Sequence, residues 1–235
     1  MSTDAGTQVE IETPDGPMPA YRWLPPSGTG PGLVLVQEIF GVSDYIRSRA
    51  ADLAALGYVV LAPEIYWRLE RTTVDESRDD VLQQAMGLVQ QLDWDVAVQD
   101  GAAALDHLRA DEAVTGGTGL LGFCFGGGLA FAVAAERDPD VLVSYYGSAL
   151  PDLLHLAPQV TAPSLHHVGT SDAYLGPEVV ERIRAAVERP GVRFETYEGA
   201  DHAFDNPMPA FHHADASARA WATTAEFLAE HLPTT

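Results

Sequence analysis

Gly122-Phe123-Cys124-Phe125-Gly126 specifies the architecture of this chain more sharply than any other segment, and it contains the only cysteine of the 235 residues. The residues just before it have the character of a buried strand, and the apolar residues from 129 onward have the character of a helix. A nucleophile between two glycines at a strand-to-helix turn forms a nucleophile elbow, here G-x-C-x-G instead of the usual G-x-S-x-G. The flanking glycines permit a tight turn and a close approach of neighbouring backbone.

The turn predicts a chemical role for Cys124. It is expected to lift the side chain above the sheet, at the positive end of the following helix, where the field favours a thiolate over a thiol. The competing interpretation is that a lone cysteine in an apolar context is a small buried hydrophobe. Residues elsewhere in the chain are needed to distinguish a catalytic Cys124 from a structural one.

The composition predicts a cytoplasmic protein that avoids polyanions. The formal charge is −21, all 13 basic residues are arginine, and 46% of the residues are hydrophobic. Such a surface is expected to repel nucleic acid and anionic lipid. The N-terminus lacks the pattern of a signal peptide, no run is apolar enough to cross a bilayer, and one cysteine forms no internal disulfide. The absence of lysine reflects either a coding bias toward arginine, which we favour, or adaptation to high salt.

Apolar periodicity predicts alternating strands and helices. Predicted strands cover residues 9–12, 20–24, 33–36, 58–62, 120–123, 141–145, 164–168 and 192–196. Predicted helices cover residues 43–56, 76–91, 94–108, 129–136, 177–188 and 216–231. This alternation implies right-handed crossovers and a mostly parallel sheet. We therefore expect a single α/β domain over residues 1–235, a doubly wound three-layer sandwich with its site at the carboxyl ends of the strands.

Three candidate catalytic residues follow three different predicted strands. Cys124, Asp172 and His202 come after the strands 120–123, 164–168 and 192–196. The order nucleophile, acid, histidine is that of the α/β-hydrolase fold. His202 is expected to serve as base and then as acid, while Asp172 orients its imidazole. Asp201, beside His202, is a competing acid, although its side chain should point away from the ring.

The loop Gln37-Glu38-Ile39-Phe40-Gly41 follows the predicted strand 33–36, where α/β-hydrolases form part of their oxyanion hole. The expected backbone donors are the N–H groups of Ile39 and Phe125. Two such donors typically contribute about 3 kcal/mol each to holding the tetrahedral oxyanion. Glu38 is unusual there, because a buried carboxylate is costly unless it is paired. A salt bridge with a nearby arginine is the alternative to a catalytic role for Glu38.

These motifs resemble the dienelactone hydrolases, also called carboxymethylenebutenolidases. The resemblance covers about residues 9–232, and its most specific elements are Q-E-I-F-G and G-F-C-F-G-G; Tyr145-Tyr146-Gly147, Asp172 and His202-Ala203-Phe204 extend it. It implies an α/β-hydrolase fold, a Cys124–His202–Asp172 triad, and a Glu38 that takes the proton of the resting thiol. It also implies hydrolysis of a lactone or enol-type ester through a thioester, without a cofactor.

The sequence departs from the family where the substrate carboxylate is bound. The best-known members use two arginines, one of them four residues after the histidine, where this chain has Asn206 next to Asp205. Candidates for the other are Arg68, Arg71 and Arg78, and Ala203 replaces a hydroxyl residue. Losing a bidentate arginine contact removes about 1.5 to 3 kcal/mol, and Asp205 is expected to repel an anion. These departures favour a neutral lactone or activated ester as substrate.

Four aromatic residues are candidates for substrate contact: Tyr146, Phe40, Trp67 and Phe204. Packing in the core or in loops is the alternative for all of them, and the resemblance favours Tyr146. The adjacent histidine pairs His166-His167 and His212-His213 do not predict a metal site, since neighbours in a strand point to opposite faces and no ligand set has suitable spacing.

Two other functional classes remain open beside a hydrolase. One is a thiol redox or sensor protein that uses Cys124 without hydrolysis, although no second cysteine exists to resolve a sulfenic acid. The other is a non-catalytic binding domain on the same fold. The resemblance implies a small-molecule substrate and a monomer or small homo-oligomer.

Overall fold

Apolar strands alternate with helices through the part of the chain that a computed structural model describes, residues 6–75 and 78–234. These residues form two compact units. The first runs to Thr118 and includes Thr234, and the second comprises Gly119–Pro233. The expectation of a single domain over residues 1–235 stays a prediction.

The first unit contains an N-terminal hairpin, further strands and helices. In chain order they are β1 (Thr7–Thr13), β2 (Gly16–Trp23), β3 (Gly30–Val36), α1 (Asp44–Ala55), β4 (Val59–Pro63), α2 (Val81–Val89) and α3 (Trp94–Arg109). β1 pairs antiparallel with β2, β2 antiparallel with β4, and β4 parallel with β3. β3 and β4 are buried along their whole length, which explains why their sequences are continuous apolar runs.

Helix α2 is shorter than the sequence pattern predicts. The helix begins at Val81, because residues 78–80 form a turn in which Arg78 Nε donates to Asp80 Oδ1 at 2.8 Å. The carboxylate of Asp80 also accepts a hydrogen bond from Gln84, one turn into the helix, at 2.9 Å. Residues 76 and 77, where the predicted helix starts, lie outside the described residues. Among the described residues, the pairing of Asp80 with Arg78 and Gln84 occupies positions 78–80, where the prediction placed helix.

The chain enters the second unit within β5 (Val114–Phe123). The elements that follow are α4 (Phe125–Arg137), β6 (Val141–Tyr145), α5 (Leu150–Leu153), β7 (Ser164–Gly169), α6 (Pro177–Val187), β8 (Val192–Tyr197) and α7 (Ala214–His231). β5, β6, β7 and β8 lie in this order and are paired in parallel. Among the described residues the strands are mostly parallel and alternate with helices, so the predicted α/β class is confirmed.

A buried polar chain ties α7 to the strands of the second unit. His167 Nδ1 lies 2.8 Å from Tyr197 Oη, and His167 Nε2 lies 2.9 Å from Thr224 Oγ1. Thr224 Oγ1 in turn lies 2.7 Å from Tyr145 Oη. The preceding residue, His166, contacts the rings of other residues instead, as expected for the opposite face of β7. Each side chain of this hydrogen-bonded series has a partner, which is the condition under which buried polar groups are tolerated.

Helix length and polarity bear on membrane insertion. The 18-residue helix α7 carries Asp215, Arg219, Glu226 and Glu230. Within residues 6–75 and 78–234, no helix is both long enough and apolar enough to span a bilayer.

Candidate active site

Cys124 occupies a strained turn between β5 and α4. Its backbone has φ 53° and ψ −118°, a region that residues with a side chain rarely adopt and that costs of order 1–3 kcal/mol. A Cβ at Gly122 would lie 2.0 Å from the carbonyl oxygen of Gly126, so only glycine allows the strand to approach the helix this closely. The Cys124 N–H donates to the Tyr145 carbonyl at 3.0 Å. The predicted elbow is therefore present.

The structure brings Cys124, His202 and Asp172 into one hydrogen-bonded chain. His202 Nε2 lies 3.1 Å from Cys124 Sγ, and His202 Nδ1 lies 2.8 Å from Asp172 Oδ2. The three residues are 7%, 9% and 4% exposed. A nucleophile in contact with a base, and that base in contact with an orienting carboxylate, is the arrangement that activates a side chain for attack.

Asp172 is held by the loop that follows β7. Its Oδ1 accepts the backbone N–H groups of Tyr174 at 2.8 Å and Leu175 at 2.9 Å. One carboxylate oxygen is thereby fixed by the backbone, and the other faces the imidazole of His202. Together, the two oxygens of Asp172 fix the orientation of the His202 ring.

The competing acid, Asp201, has a different task. Its Oδ1 accepts the N–H of Ala173 at 2.9 Å and the N–H of His202 itself at 2.7 Å. Asp201 therefore joins the two loops that carry Asp172 and His202, and it contacts the backbone of His202 instead of the imidazole. The sequence-based choice of Asp172 as the partner of the ring agrees with this geometry.

The surroundings of His202 favour its protonated form. Burial lowers the pKa of the imidazole, but the hydrogen bonds and charges of Asp172 and Cys124 act in the opposite direction and raise it to about 10. A protonated imidazole beside the sulfur stabilises a thiolate once it has formed. Such an imidazolium is ready to donate a proton to a leaving group.

Two tyrosine rings flank the imidazole of His202. The ring of Tyr146 lies 5.3 Å from it and that of Tyr174 lies 4.9 Å from it, both in edge-on arrangements. Tyr146 is buried and packs on Phe204 at 5.2 Å. Tyr174 is 70% exposed and was missed by the sequence analysis. Its position two residues after Asp172 is the signal that points to it.

Phe204 lies in an aromatic cluster. Its ring centre is 6.5 Å from Tyr145, 5.2 Å from Tyr146 and 5.1 Å from Tyr197, and the residue is buried. Among its two candidate roles, this placement agrees with packing behind Tyr146. Substrate contact by Phe204 stays a prediction.

The Gln37–Gly41 loop is built by contacts within the first unit. Gln37 Oε1 accepts the N–H of Ile65 at 3.2 Å, and the carbonyl oxygen of Ile39 accepts the Tyr66 hydroxyl at 3.0 Å. Glu38 and Phe40 are both buried. The contacts fix the backbone of the loop, and the roles predicted for Glu38, Ile39 and Phe40 stay predictions.

Trp67 and the arginine candidates also have partners in the first unit. Trp67 Nε1 donates to Asp100 Oδ2 at 3.0 Å, and Arg68 bridges Asp100 and Asp15 while its guanidinium lies 4.2 Å from the Trp67 ring centre. Arg71 contacts Gln84 at 3.4 Å, and Arg78 pairs with Asp80. These contacts agree with the packing alternative for Trp67, whose substrate role stays a prediction.

The residues after His202 face the protein interior. Asp205 is 1% exposed, and its Oδ1 accepts the Ser217 hydroxyl of α7 at 2.7 Å. Asn206 is buried and its Oδ1 accepts the N–H of Met208 at 2.9 Å. The expectation that Asp205 repels an anionic substrate assumed an outward carboxylate. Because α7 supplies a hydroxyl partner, this carboxylate is directed inward instead.

The described part of the chain holds no group of three or more His, Cys, Asp and Glu side chains arranged to bind a metal ion. His166 stacks on Phe194 at 5.8 Å, and His167 belongs to the polar chain described above. His213 Nδ1 accepts the Ala216 N–H at 3.2 Å, at the start of α7.

The mostly parallel fold and the order of Cys124, Asp172 and His202 define an α/β hydrolase. Comparison with known proteins specifies the family, since residues 18–232 match the dienelactone hydrolase family. The carboxymethylenebutenolidase of Pseudomonas putida is 33% identical over 224 residues, which span 94% of this chain and 95% of that protein. Carboxymethylenebutenolidase 1 of Cupriavidus pinatubonensis is 34% identical over 170 residues, 72% of this chain and 71% of that protein.

A solved structure agrees with these sequence relatives. The crystal structure of a provisionally assigned dienelactone hydrolase from Klebsiella pneumoniae superposes with a TM-score of 0.83 at 26% identity, covering 95% of this chain and 98% of that one. The chain belongs to the dienelactone hydrolase family. It is accordingly a lactone or ester hydrolase, as the resemblance implied.

Proposed function

We propose that this chain hydrolyses a neutral lactone or an activated, enol-type ester, with Cys124 as nucleophile and a thioester intermediate. The observation that carries the proposal is the unbroken contact from Cys124 Sγ through the imidazole of His202 to Asp172, at 3.1 Å and 2.8 Å. Membership of the dienelactone hydrolase family supports the same chemistry.

Once its proton has been removed, the Cys124 thiolate attacks the carbonyl carbon. The C–S bond forms, the ring C–O bond breaks, and the departing enolate or alkoxide takes the proton from His202 Nε2. The neutral imidazole then removes a proton from water, whose oxygen attacks the thioester. The C–S bond breaks, the acid product leaves, and the thiolate–imidazolium pair is restored. The net change is the addition of one water molecule across the ester bond, with no redox step.

A thiolate nucleophile favours substrates with good leaving groups. The thiolate is itself a good leaving group, so the tetrahedral intermediate returns to the ester unless the departing oxygen is also stabilised. An enolate meets this requirement better than a simple alkoxide. Enol lactones and activated aryl esters are therefore the preferred class.

Charge stabilisation at the carbonyl oxygen is assigned to backbone donors. Phe125 is the first residue of α4 and directly follows the nucleophile, the position whose backbone N–H contributes to the oxyanion hole of α/β-hydrolases. On the family resemblance, we assign the second donor to Ile39. We assign to Glu38 the removal of the proton from the resting thiol, which forms the thiolate–imidazolium pair before attack. Replacing Glu38 by Gln tests the latter role: a proton acceptor is lost while size is kept, so acylation is expected to slow.

The proposed substrate is neutral because Asn206 replaces a family arginine. An amide side chain that accepts the Met208 N–H supplies no charge for a bidentate carboxylate contact. The inward direction of Asp205 leaves this argument resting on Asn206. A kcat/KM for dienelactone equal to or above that for neutral enol esters contradicts the assignment.

Turnover of p-nitrophenyl acetate by the parent chain, Cys124→Ala and Cys124→Ser tests the nucleophile. The Ala variant is expected to lose turnover, and mass spectrometry of the parent is expected to detect an acetyl adduct on Cys124. A redox or sensor role predicts thiol oxidation without turnover by the parent, and a binding domain predicts neither. Undiminished turnover in Cys124→Ala removes this residue from the mechanism.

We further assign the chain to the cytoplasm as a single domain that acts as a monomer or small homo-oligomer. The net charge of −21 opposes binding to nucleic acid and anionic membranes. Sedimentation at physiological ionic strength determines the assembly, and a sediment profile dominated by large assemblies contradicts this part of the proposal.

A further inference from the structure

The sulfur of Cys124 contacts a second polar group besides His202. The hydroxyl oxygen of Ser148 lies 3.8 Å from Cys124 Sγ, within the longer hydrogen-bond range of sulfur. Ser148 follows Tyr145-Tyr146-Gly147, in the turn after β6. Sequence reasoning gave Ser148 no role, because a serine in a turn carries no pattern of its own.

Backbone hydrogen bonds tie this turn to the nucleophile elbow in both directions. The Cys124 N–H donates to the Tyr145 carbonyl at 3.0 Å, and the Ser148 N–H donates to the Cys124 carbonyl at 3.2 Å. The position of the Ser148 hydroxyl relative to the sulfur is therefore set by the backbone. It does not depend on a long, flexible side chain.

The backbone of this turn is also strained, in a conformation that places Ser148 next to the elbow. Tyr146 has φ 37°, and its N–H donates to the His167 carbonyl at 2.7 Å. A Cβ at Gly147 would lie 2.7 Å from Ser144 Oγ and 2.9 Å from Leu150 Cδ1. Strained backbone persists only where its surroundings enforce it, and it is concentrated at functional sites.

The direction of the hydrogen bond follows from the state of the neighbouring groups. Burial lowers the pKa of His202, but Asp172 and Cys124 act in the opposite direction and raise it to about 10. An imidazolium beside the sulfur stabilises a thiolate once the thiol proton has left. A thiolate only accepts hydrogen bonds, whereas a serine hydroxyl is able to donate. In the thiol form, Cys124 Sγ–H donates to the Ser148 hydroxyl oxygen. Once the thiolate has formed, the Ser148 O–H becomes the donor.

We propose that Ser148 is a positioning residue for the nucleophile, whose hydroxyl donates to the Cys124 sulfur and holds it toward His202. The role deepens the proposed hydrolase function and rests on it. Two donors at different angles restrict rotation about the Cα–Cβ bond of Cys124 and stabilise the thiolate until the C–S bond forms. Ser148 exchanges no proton and forms no covalent bond.

Alkylation of the thiol by iodoacetamide as a function of pH tests this role. The chain has one cysteine, so the reaction reports on Cys124 alone. In Ser148→Ala the midpoint of the alkylation pH profile is expected to rise by about one unit, so that the rate at a pH below the parent's midpoint falls about tenfold, as for loss of a hydrogen bond to a charged group. Ser148→Thr keeps a hydroxyl and is expected to recover most of the rate.

Ser144→Ala is the matched control. Ser144 lies four residues earlier, is buried, and its Oγ has no hydrogen-bond partner among the described residues. Its removal is expected to leave the alkylation profile unchanged. Equal melting temperatures of the three Ser variants and the parent show that the fold is kept. An unchanged profile in Ser148→Ala, an equal change in Ser144→Ala, or a Ser148→Thr as slow as Ser148→Ala overturns the proposal.

Single-turnover acylation by p-nitrophenyl acetate, with enzyme in excess, separates this proposal from the proposed function. Ser148→Ala is expected to slow the acylation step about tenfold in parallel with alkylation. Acylation that is unaffected while alkylation slows overturns the positioning role in catalysis. Undiminished turnover in Cys124→Ala instead overturns the hydrolase mechanism, and it leaves the alkylation result for Ser148 intact.

Discussion

At the scale of single residues, the site depends on which carboxylate faces His202. Asp172 contacts the ring and Asp201 contacts the backbone, although both lie in loops at the ends of adjacent strands. The spacing along the sequence predicts the participation of Asp172, but only the fold shows how Asp201 joins the two loops. Replacing Asp172 and replacing Asp201 are therefore expected to have different effects on activity.

Asp172→Asn is expected to lower kcat/KM by about 10³-fold or more, because the amide neither stabilises the imidazolium nor enforces its orientation. Asp172 helps to raise the pKa of His202, so the alkaline limb of the pH–rate profile should move to lower pH. Asp201→Asn keeps a carbonyl oxygen for the two backbone donors and serves as control. Equal losses in both variants contradict the assigned roles.

Predictions for single residues were wrong where the sequence did not determine the direction in which a side chain points. Asp205 was expected to face the substrate, but the hydroxyl of Ser217 in α7, twelve residues later, donates to its buried carboxylate. Tyr174 was overlooked because an aromatic residue in a loop has no periodicity to reveal its contact with His202. Contacts of this kind depend on tertiary packing, which one sequence does not specify.

At the scale of elements, the β5–α4 turn sets the strictest limit on the sequence. β5, Cys124 and α4 follow one another without an intervening loop, and the chain reverses direction within a few residues. Gly122 lies so close to the carbonyl oxygen of Gly126 that no side chain fits.

Gly122→Ala is expected to destabilise the chain by about 3 kcal/mol or more, because a Cβ 2.0 Å from a backbone oxygen forces the turn to move. Gly87→Ala in α2 is the control, since a Cβ there meets no atom within 4 Å. The control should be stabilised by about 0.4–1 kcal/mol through helix propensity. Chemical denaturation measures both, and a Gly122→Ala variant as stable as the parent contradicts the argument.

The sequence predicted the strands and most helices because buried parallel strands are continuous apolar runs and surface helices are periodic. It missed α5, whose four residues begin Leu150-Pro151, because one turn is too short to show a period. It also placed the start of α2 too early, since Asp80 pairs with Arg78 and Gln84 in a turn that precedes the helix. Short elements and helix ends depend on individual side-chain contacts.

At the scale of the whole molecule, two buried histidines make stability sensitive to acid. Burial lowers the pKa of His166 to about 4, with a smaller contribution from Arg189, and lowers the pKa of His167 well below its usual value. A base whose pKa is lower in the folded state binds fewer protons when folded, so acid favours unfolding.

The stability that His166 contributes is expected to be fully present above pH 6.5 and to fall as the pH drops from about 6.5 to about 4. His166 alone accounts for about 3 kcal/mol of this loss. His166→Leu removes its titration and should flatten that part of the curve, although it leaves His167 titrating. Urea denaturation between pH 4 and pH 8 measures the effect, and an equal slope in parent and variant contradicts it.

The net charge of −21 predicts a salt-dependent stability. Repulsion among the acidic groups is screened as the Debye length falls from about 30 Å at 0.01 M salt to about 8 Å at 0.15 M. The melting temperature should therefore rise with salt, while the chain stays folded at low salt, as a coding bias for arginine implies. Unfolding at low ionic strength supports adaptation to high salt instead.

The positive φ of Cys124 has an evolutionary consequence for the choice of nucleophile. A β-branched residue is a severe outlier in that backbone region, so threonine has no access to the elbow even though its hydroxyl is chemically adequate. Cysteine and serine carry one heavy atom on Cβ and fit the same turn. The backbone at position 124 therefore accepts either cysteine or serine, so a single substitution exchanges a sulfur nucleophile for an oxygen nucleophile. It does not accept threonine.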